Sequence, residues 1–224
     1  MRVNVFIYAR FNSSRLPGKV LFKIGNETVL GICINKLKTI PNLNLIVATS
    51  DKQTDDPIAK WCDTIGVHHF RGDLQDVAER TIQCINDYPC DVFFRVNADS
   101  PFLQPFLFRK ALAIISKNQR IDVVSNVYKR SFPYGIAVEL INTQTYLKYV
   151  GDFNASEREH ITSYFYRNDS IFNIVNIEYE HNYSQLRWVL DTPEDWARLN
   201  ELHTIYPDLY NLHLEQLIRI QKFN

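Results

Sequence analysis

Apolar and β-branched runs recur along the chain at Val3–Ala9, Leu43–Thr49, Val67–Phe70, Asp91–Val96 and Asp122–Ser125, each followed by a polar or turn-forming stretch. Runs this short and this apolar predict buried strands. Between them the spacing turns helical. Thr28 is placed to cap a helix carrying Leu30, Ile34 and Leu37 that Pro41 stops, and Asp55, Asp56 and Pro57 open a second through Trp61 to Ile65. Gly72-Asp73 leads into a third with Val77, Ala78, Ile82 and Ile85, and a fourth runs from Pro105 to Lys117. Strand alternating with helix predicts an α/β fold, a mainly parallel sheet covered on both faces.

From Asn126 to Ser184 the pattern changes. Pro133 and Gly135 break the chain, Ala137–Ile141 predicts a strand, and Tyr164, Phe165, Tyr166, Phe172, Tyr179 and Tyr183 make the stretch aromatic. It reads as a lid on the core or as an arm that pairs with a second subunit. Leu186–Leu190 restores a strand pattern, Asp191-Thr192-Pro193-Glu194-Asp195 starts a helix through Leu202, and a last amphipathic helix spans Leu212–Ile220. No repeat or low-complexity linker divides the chain, so residues 1–224 read as one domain, with 126–185 the late inserted lid or arm.

Composition adds little until charge is followed along the chain. The 224 residues are 46% hydrophobic and 22% charged, and 25 cations balance 25 anions. That balance argues against a nucleic-acid partner, and no 18-residue apolar segment argues against membrane insertion. Cys33, Cys62, Cys84 and Cys90 lack the paired spacing of a zinc site and are too few for a disulfide scaffold. With the first apolar run ending at Ala9 before a basic loop, the expectation is a cytoplasmic protein with free thiols. The balance is uneven, however. Residues 1–26 hold Arg2, Arg10, Arg15, Lys19 and Lys23 and no carboxylate, whereas from Gly151 onward twelve carboxylates face six Lys and Arg.

The basic start contains the densest chemistry. Arg10 falls where the first strand ends, the place at which open parallel sheets bind ligands, and Ser13, Ser14, Arg15, Pro17, Gly18 and Lys19 follow. Hydroxyls, a guanidinium fork, an ammonium and a glycine that admits backbone N–H groups are what a phosphate grip needs. Arg15 and Lys19 are expected to stand exposed in it. The loop is neither a Walker A motif nor a dinucleotide fingerprint, since Gly18 has no partner glycine and no Gly-x-Gly occurs.

Two acids stand at comparable strand ends. Asp99 precedes Ser-Pro after the Asp91–Val96 run, and Asp191 follows Leu186–Leu190. Both suit the hard oxygen ligation that Mg²⁺ takes beside nucleotide phosphates. Asp191-Thr-Pro-Glu-Asp195 is equally an ordinary helix start with acids in its first turn.

Together these stretches resemble a family. Ala9-Arg10 with Ser14-Arg15-Leu16-Pro17-Gly18-Lys19, Ala48-Thr49, Asp76-Val77…Arg80, Asp99-Ser-Pro, Pro133 and Gly135 with Glu139, Glu159-His160-x-Thr162 and Asp191-Thr-Pro-Glu-Asp195 occur in the order of the CTP-dependent cytidylyltransferases. The group is that of the 3-deoxy-manno-octulosonate and acylneuraminate enzymes, and within it the wording is similar to the SpsF-like branch of spore coat polysaccharide synthesis. The resemblance implies a single Rossmann-like nucleotidyltransferase domain, often a homodimer, that moves CMP from CTP to a sugar acid or related acceptor and releases pyrophosphate. It implies nucleotide binding by Ala9, Arg10, Ser14, Arg15, Lys19, Thr49, Asp76 and Arg80, with Arg15 and Lys19 catalytic. It places Pro133, Gly135, Glu139, Glu159 and His160 toward the acceptor, and Asp99 and Asp191 on Mg²⁺. Tyr8 stands where the branch commonly has Gln, and Ala137 where it has Asp. His160 is a candidate general base or a structural histidine in a polar turn. Two other classes share the ingredients: a glycosyltransferase using a nucleotide sugar, which would normally show the Asp-x-Asp motif absent here, and a non-catalytic nucleotide-binding paralogue.

Overall fold

The computed structural model describes residues 1–223. Its strands are β1 (Val3–Tyr8), β2 (Lys23–Ile24), β3 (Glu27–Thr28), β4 (Leu43–Ser50), β5 (His68–Gly72), β6 (Val92–Asn97), β7 (Val123–Ser125), β8 (Glu139–Asn142) and β9 (Ile174–Asn176). The helices are α1 (Val29–Lys38), α2 (Asp56–Ile65), α3 (Val77–Asp87), α4 (Pro105–Lys117), α5 (Thr143–Tyr149), α6 (Ala155–Glu159), α7 (Ser163–Arg167), α8 (Pro193–Ile205) and α9 (Leu214–Phe223).

Seven strands form one sheet in the order β5-β4-β1-β6-β8-β7-β9, in which only β8 runs antiparallel to its neighbours. The central strands are mostly apolar because both of their faces are covered. Along β1, Val3, Val5 and Ile7 enter one core and Phe6 the other. The first core is closed by α1, α4, α8 and α9, through residues such as Leu30, Phe108, Leu199 and Leu217, and the second by α3, α5 and α7, through Ala78, Tyr146 and Phe165. All four cysteines are buried free thiols, and burial pushes the Cys33 thiol up to about 12. Among the described residues no helix is long and apolar enough to cross a membrane.

Start signals read from sequence operate as expected where they are local. Thr28 caps α1 by accepting the Gly31 N–H at 3.0 Å, and Thr192 and Asp195 form a capping box at α8. Two expectations change. Leu186–Leu190 buries Trp188, Val189 and Leu190 but joins no sheet; among the described residues its one bridge pairs Arg187 with Tyr134. An apolar run records burial, and here the burial is under loops, with the Leu190 N–H bonded to the Asp99 carbonyl at 3.1 Å. The strand expected at Ala137–Ile141 is Glu139–Asn142, inserted between β6 and β7. Residues 126–185 therefore supply β8, β9 and three helices of the layered fold. Their aromatic residues are mostly core: the Tyr146 ring meets Phe93 edge-on at 5.3 Å and Phe153 at 5.8 Å.

The chain order reverses at β1. It leads outward to β4 and β5 on one side, and β6 pairs with its other edge, Tyr8 opposite Asn97. A sheet with this switch leaves a crevice beyond the carboxyl ends of the two strands.

Candidate active site

The crevice holds a cavity of about 420 Å³. Its first wall is the loop after β1. Phe11 anchors that loop: its N–H donates to Asp55 Oδ1 at 2.7 Å, and its carbonyl accepts the Gly18 N–H at 2.7 Å and the Ser13 N–H at 2.9 Å. Closing the loop so tightly puts Gly18 at φ +76°, with a would-be Cβ 3.2 Å from the Phe11 ring, so glycine is required. Asp55 is fully buried, and its other oxygen accepts Thr49 Oγ1 at 3.0 Å and the Ser50 N–H at 2.9 Å. Asp55 stands at the N-cap of α2, as expected, but its side chain makes no cap bond and ties the end of β4 to the loop after β1.

From this loop Ala9, Arg10, Ser14, Arg15 and Lys19 all line the cavity. Lys19, expected to be exposed, is 7% exposed. Its ammonium lies 2.6 Å from Asp99 Oδ2 and 2.8 Å from Asp191 Oδ1. Arg15 is exposed along its side chain but reaches Asp191 Oδ2 at 2.6 Å. The loop after β1, the loop after β6 and the entrance of α8 thus meet at one point. Asp195 secures the last of these: it accepts a two-pronged bond from Arg187 at 3.0 and 2.8 Å and the N–H groups of Asp191 and Thr192. Burial alone would raise its carboxyl, but those donors hold it below the ordinary carboxylate value.

Asp99 and Asp191 present hard oxygens to one cavity, a donor set that fits Mg²⁺ when phosphate oxygens or water complete the shell. Among the described residues no group of three or more acidic, His or Cys side chains converges as a self-sufficient metal site. Two carboxylates are what the described residues would offer such an ion.

Toward the far wall, Gly135, Glu139, Glu159 and His160 line the cavity. Glu159 faces Arg10 across the mouth at 3.8 Å. Glu139 is 2% exposed and has both oxygens engaged, by Arg95 Nη1 at 3.0 Å and the Tyr166 hydroxyl at 2.6 Å. Burial opposes the Arg95 charge, and the Glu139 carboxylate more than restores it. This pair is a rigid floor. Gly135, at φ +95°, passes so close to the Trp188 carbonyl that a Cβ would lie 2.1 Å from its oxygen.

Three expected residues are not brought into the cavity. Thr49 is fully buried on Asp55. Asp76 caps α3 through the Glu79 N–H at 2.9 Å and pairs with Arg158 at 2.6 Å. Pro133 is buried in the turn that closes with the Ile136 N–H on its carbonyl. Arg80 does line the cavity, stacked 5.8 Å over the Tyr8 ring, and burial pulls its guanidinium below the usual value. The Tyr8 hydroxyl, which burial pushes well up, bonds to Thr81 at 2.8 Å.

Sequence reasoning missed Arg95 and Arg130, while Tyr134 lies in the Pro133–Glu139 segment expected toward the acceptor. Tyr134 is exposed at the rim with the guanidinia of Arg130 and Arg187 each 5.3 Å from its ring centre, and Arg130 Nη1 is buried without a hydrogen-bond partner. Arg95 had a signal, a charged residue inside an apolar strand. Arg130 had none beyond its nearness to Pro133 and Gly135.

Known proteins resemble this chain in sequence and in fold. The family model described as Cytidylyltransferase matches residues 5–221. The spore coat polysaccharide biosynthesis protein SpsF of Bacillus subtilis is 28% identical, with 97% of this chain and 93% of SpsF aligned. A 3-deoxy-manno-octulosonate cytidylyltransferase of Cytophaga hutchinsonii is 25% identical over 86% of this chain and 94% of its own. Among solved structures, a cytidylyltransferase from Leptospira borgpetersenii superposes with a TM-score of 0.93 at 28% identity, covering 100% of this chain and 95% of that one.

Proposed function

The chain belongs to the cytidylyltransferase family and is a CTP-dependent nucleotidyltransferase, and from that premise we propose that it moves CMP from CTP to an acidic sugar, releasing pyrophosphate, for surface polysaccharide or glycoconjugate synthesis. The observation that supports this reading is the meeting of Arg15, Lys19, Asp99 and Asp191 in one cavity at the switch point of the sheet.

Each part has a role that its chemistry suits. The triphosphate lies along the loop after β1, where Ser14 and Arg15 donate to its oxygens. The acceptor hydroxyl approaches from the side of Gly135, Glu159 and His160 and attacks the α-phosphorus in line with the departing pyrophosphate. Arg15 and Lys19 neutralise the charge that grows on the leaving group, an effect that is large where water is excluded. Mg²⁺ held by Asp99 and Asp191 would supply further charge neutralisation on the phosphates. The rigid Arg95–Glu139–Tyr166 floor keeps the two substrate halves at a fixed separation. A cytoplasmic, homodimeric enzyme completes the reading.

Pyrophosphate release from each of the four nucleoside triphosphates, with Mg²⁺ and a panel of acidic sugars, tests it. The expected result is release from CTP that requires an acidic sugar. Release of a nucleoside diphosphate from a nucleotide sugar, with none of pyrophosphate from CTP, would overturn it.

A further inference from the structure

Lys19 stands where a divalent cation would have to stand. Its ammonium is within 2.8 Å of one oxygen on each of Asp99 and Asp191, and its side chain is 8% exposed. The second oxygen of Asp191 is held by Arg15 at 2.6 Å, with Arg187 at 3.6 Å. Two carboxylates are thus balanced by the charges of Lys19 and Arg15, while Arg187 is committed to Asp195. Such a cluster exerts little net attraction on a dication, and entry would force an ammonium and a dication together in a site with little water.

A triphosphate changes the balance. It brings several negative oxygens to the loop that carries both cations, and phosphate is a stronger partner for lysine and arginine than a shared carboxylate. Lysine suits the exchange, since its flexible stem moves a point charge without moving the loop. We propose that Lys19 is an internal stand-in cation: it occupies the Asp99–Asp191 pair, keeps divalent cations off the protein alone, and moves onto the phosphates when nucleotide binds, so that the cation site opens only with nucleotide. This rests on the reading of Asp99 and Asp191 as cation ligands. A purely structural salt bridge at Lys19 would make no such link.

Mn²⁺ titration of the purified protein without nucleotide, followed by electron paramagnetic resonance of the free ion, tests the inference with no need for an acceptor. The wild type should bind Mn²⁺ only weakly. Lys19→Met should bind it at least about tenfold more tightly, within the range typical of coupling between two ligands. Lys19→Arg, which keeps the charge, should stay weak, and Lys19→Met/Asp99→Asn should lose the gain. A wild-type protein that binds Mn²⁺ with micromolar affinity on its own overturns the proposal, whether or not the variants fold. So does a folded Lys19→Met that gains no affinity. If CTP-dependent pyrophosphate release by the wild type persists in that case, only the stand-in role fails; its absence would instead refute the catalytic reading.

Discussion

Removing the Asp55 carboxylate should both weaken the fold and loosen the phosphate loop. Asp55 is fully buried and takes three donors, the N–H groups of Phe11 and Ser50 and the Thr49 hydroxyl, at 2.7 to 3.0 Å. A hydrogen bond to a charged group contributes about 1.5–3 kcal/mol, and burying the charge offsets part of that sum. Asp55→Ala also strands two buried donors and a half-buried one, at about 1–3 kcal/mol for each buried group, so the net loss should be about 3–5 kcal/mol. For a chain of this size, that lowers Tm by roughly 10 °C. Thr49→Val, which removes one donor and keeps the carboxylate bonded, should cost only about 1 kcal/mol. Urea unfolding followed by circular dichroism reads both. Because the Phe11 N–H holds the loop carrying Ser14, Arg15 and Lys19, folded Asp55→Ala should also show a raised KM for CTP. A loss under about 1 kcal/mol would refute the reasoning, since it would mean that the three bonds do not survive in solution.

Three other outcomes follow from the same geometry. Arg15→Ala removes an exposed partner of Asp191 and should change stability by no more than about 0.5 kcal/mol, while lowering CTP turnover by roughly a hundredfold; a large drop in Tm would make Arg15 structural. Gly135→Ala drives a Cβ into the Trp188 carbonyl at a left-handed φ and should cost more than about 3 kcal/mol in chemical unfolding or abolish soluble expression, and a variant with wild-type stability would contradict the close approach. The Asp195 carboxyl sits below its unfolded value near 4, so its contribution is fully present above about pH 4 and is lost as pH falls through the lower folded value. The stability gap between wild type and Asp195→Asn should therefore be constant from pH 5 to 7 and shrink below pH 4; a gap that widens on acidification would reverse the assigned sign.

Legibility followed the range of the interaction. Capping of α1 by Thr28 and of α8 by Thr192 was readable because donor and acceptor are three residues apart. The strand at Asp91–Val96 was readable because a central strand is buried on both sides and shows it as an apolar run, here Val92, Phe93, Phe94 and Val96 with only Arg95 among them. Leu186–Leu190 carries the same signal with a different outcome, since burial does not say what the backbone pairs with. Asp55 is similar: its local context is a helix start, and its decisive partner Phe11 lies 44 residues away.

By itself, then, the amino-acid order determined the α/β alternation, the basic loop after the first strand and the acids Asp99 and Asp191 after two later apolar runs, all of them properties of short windows. Only the tertiary structure decided that Lys19 is buried between Asp99 and Asp191, 80 and 172 residues away, and that Thr49 and Asp76 face other partners. The physical reason is the crossover at β1. It brings strand ends from distant parts of the chain to one crevice, and which side chains then pair there depends on distances that no local pattern records.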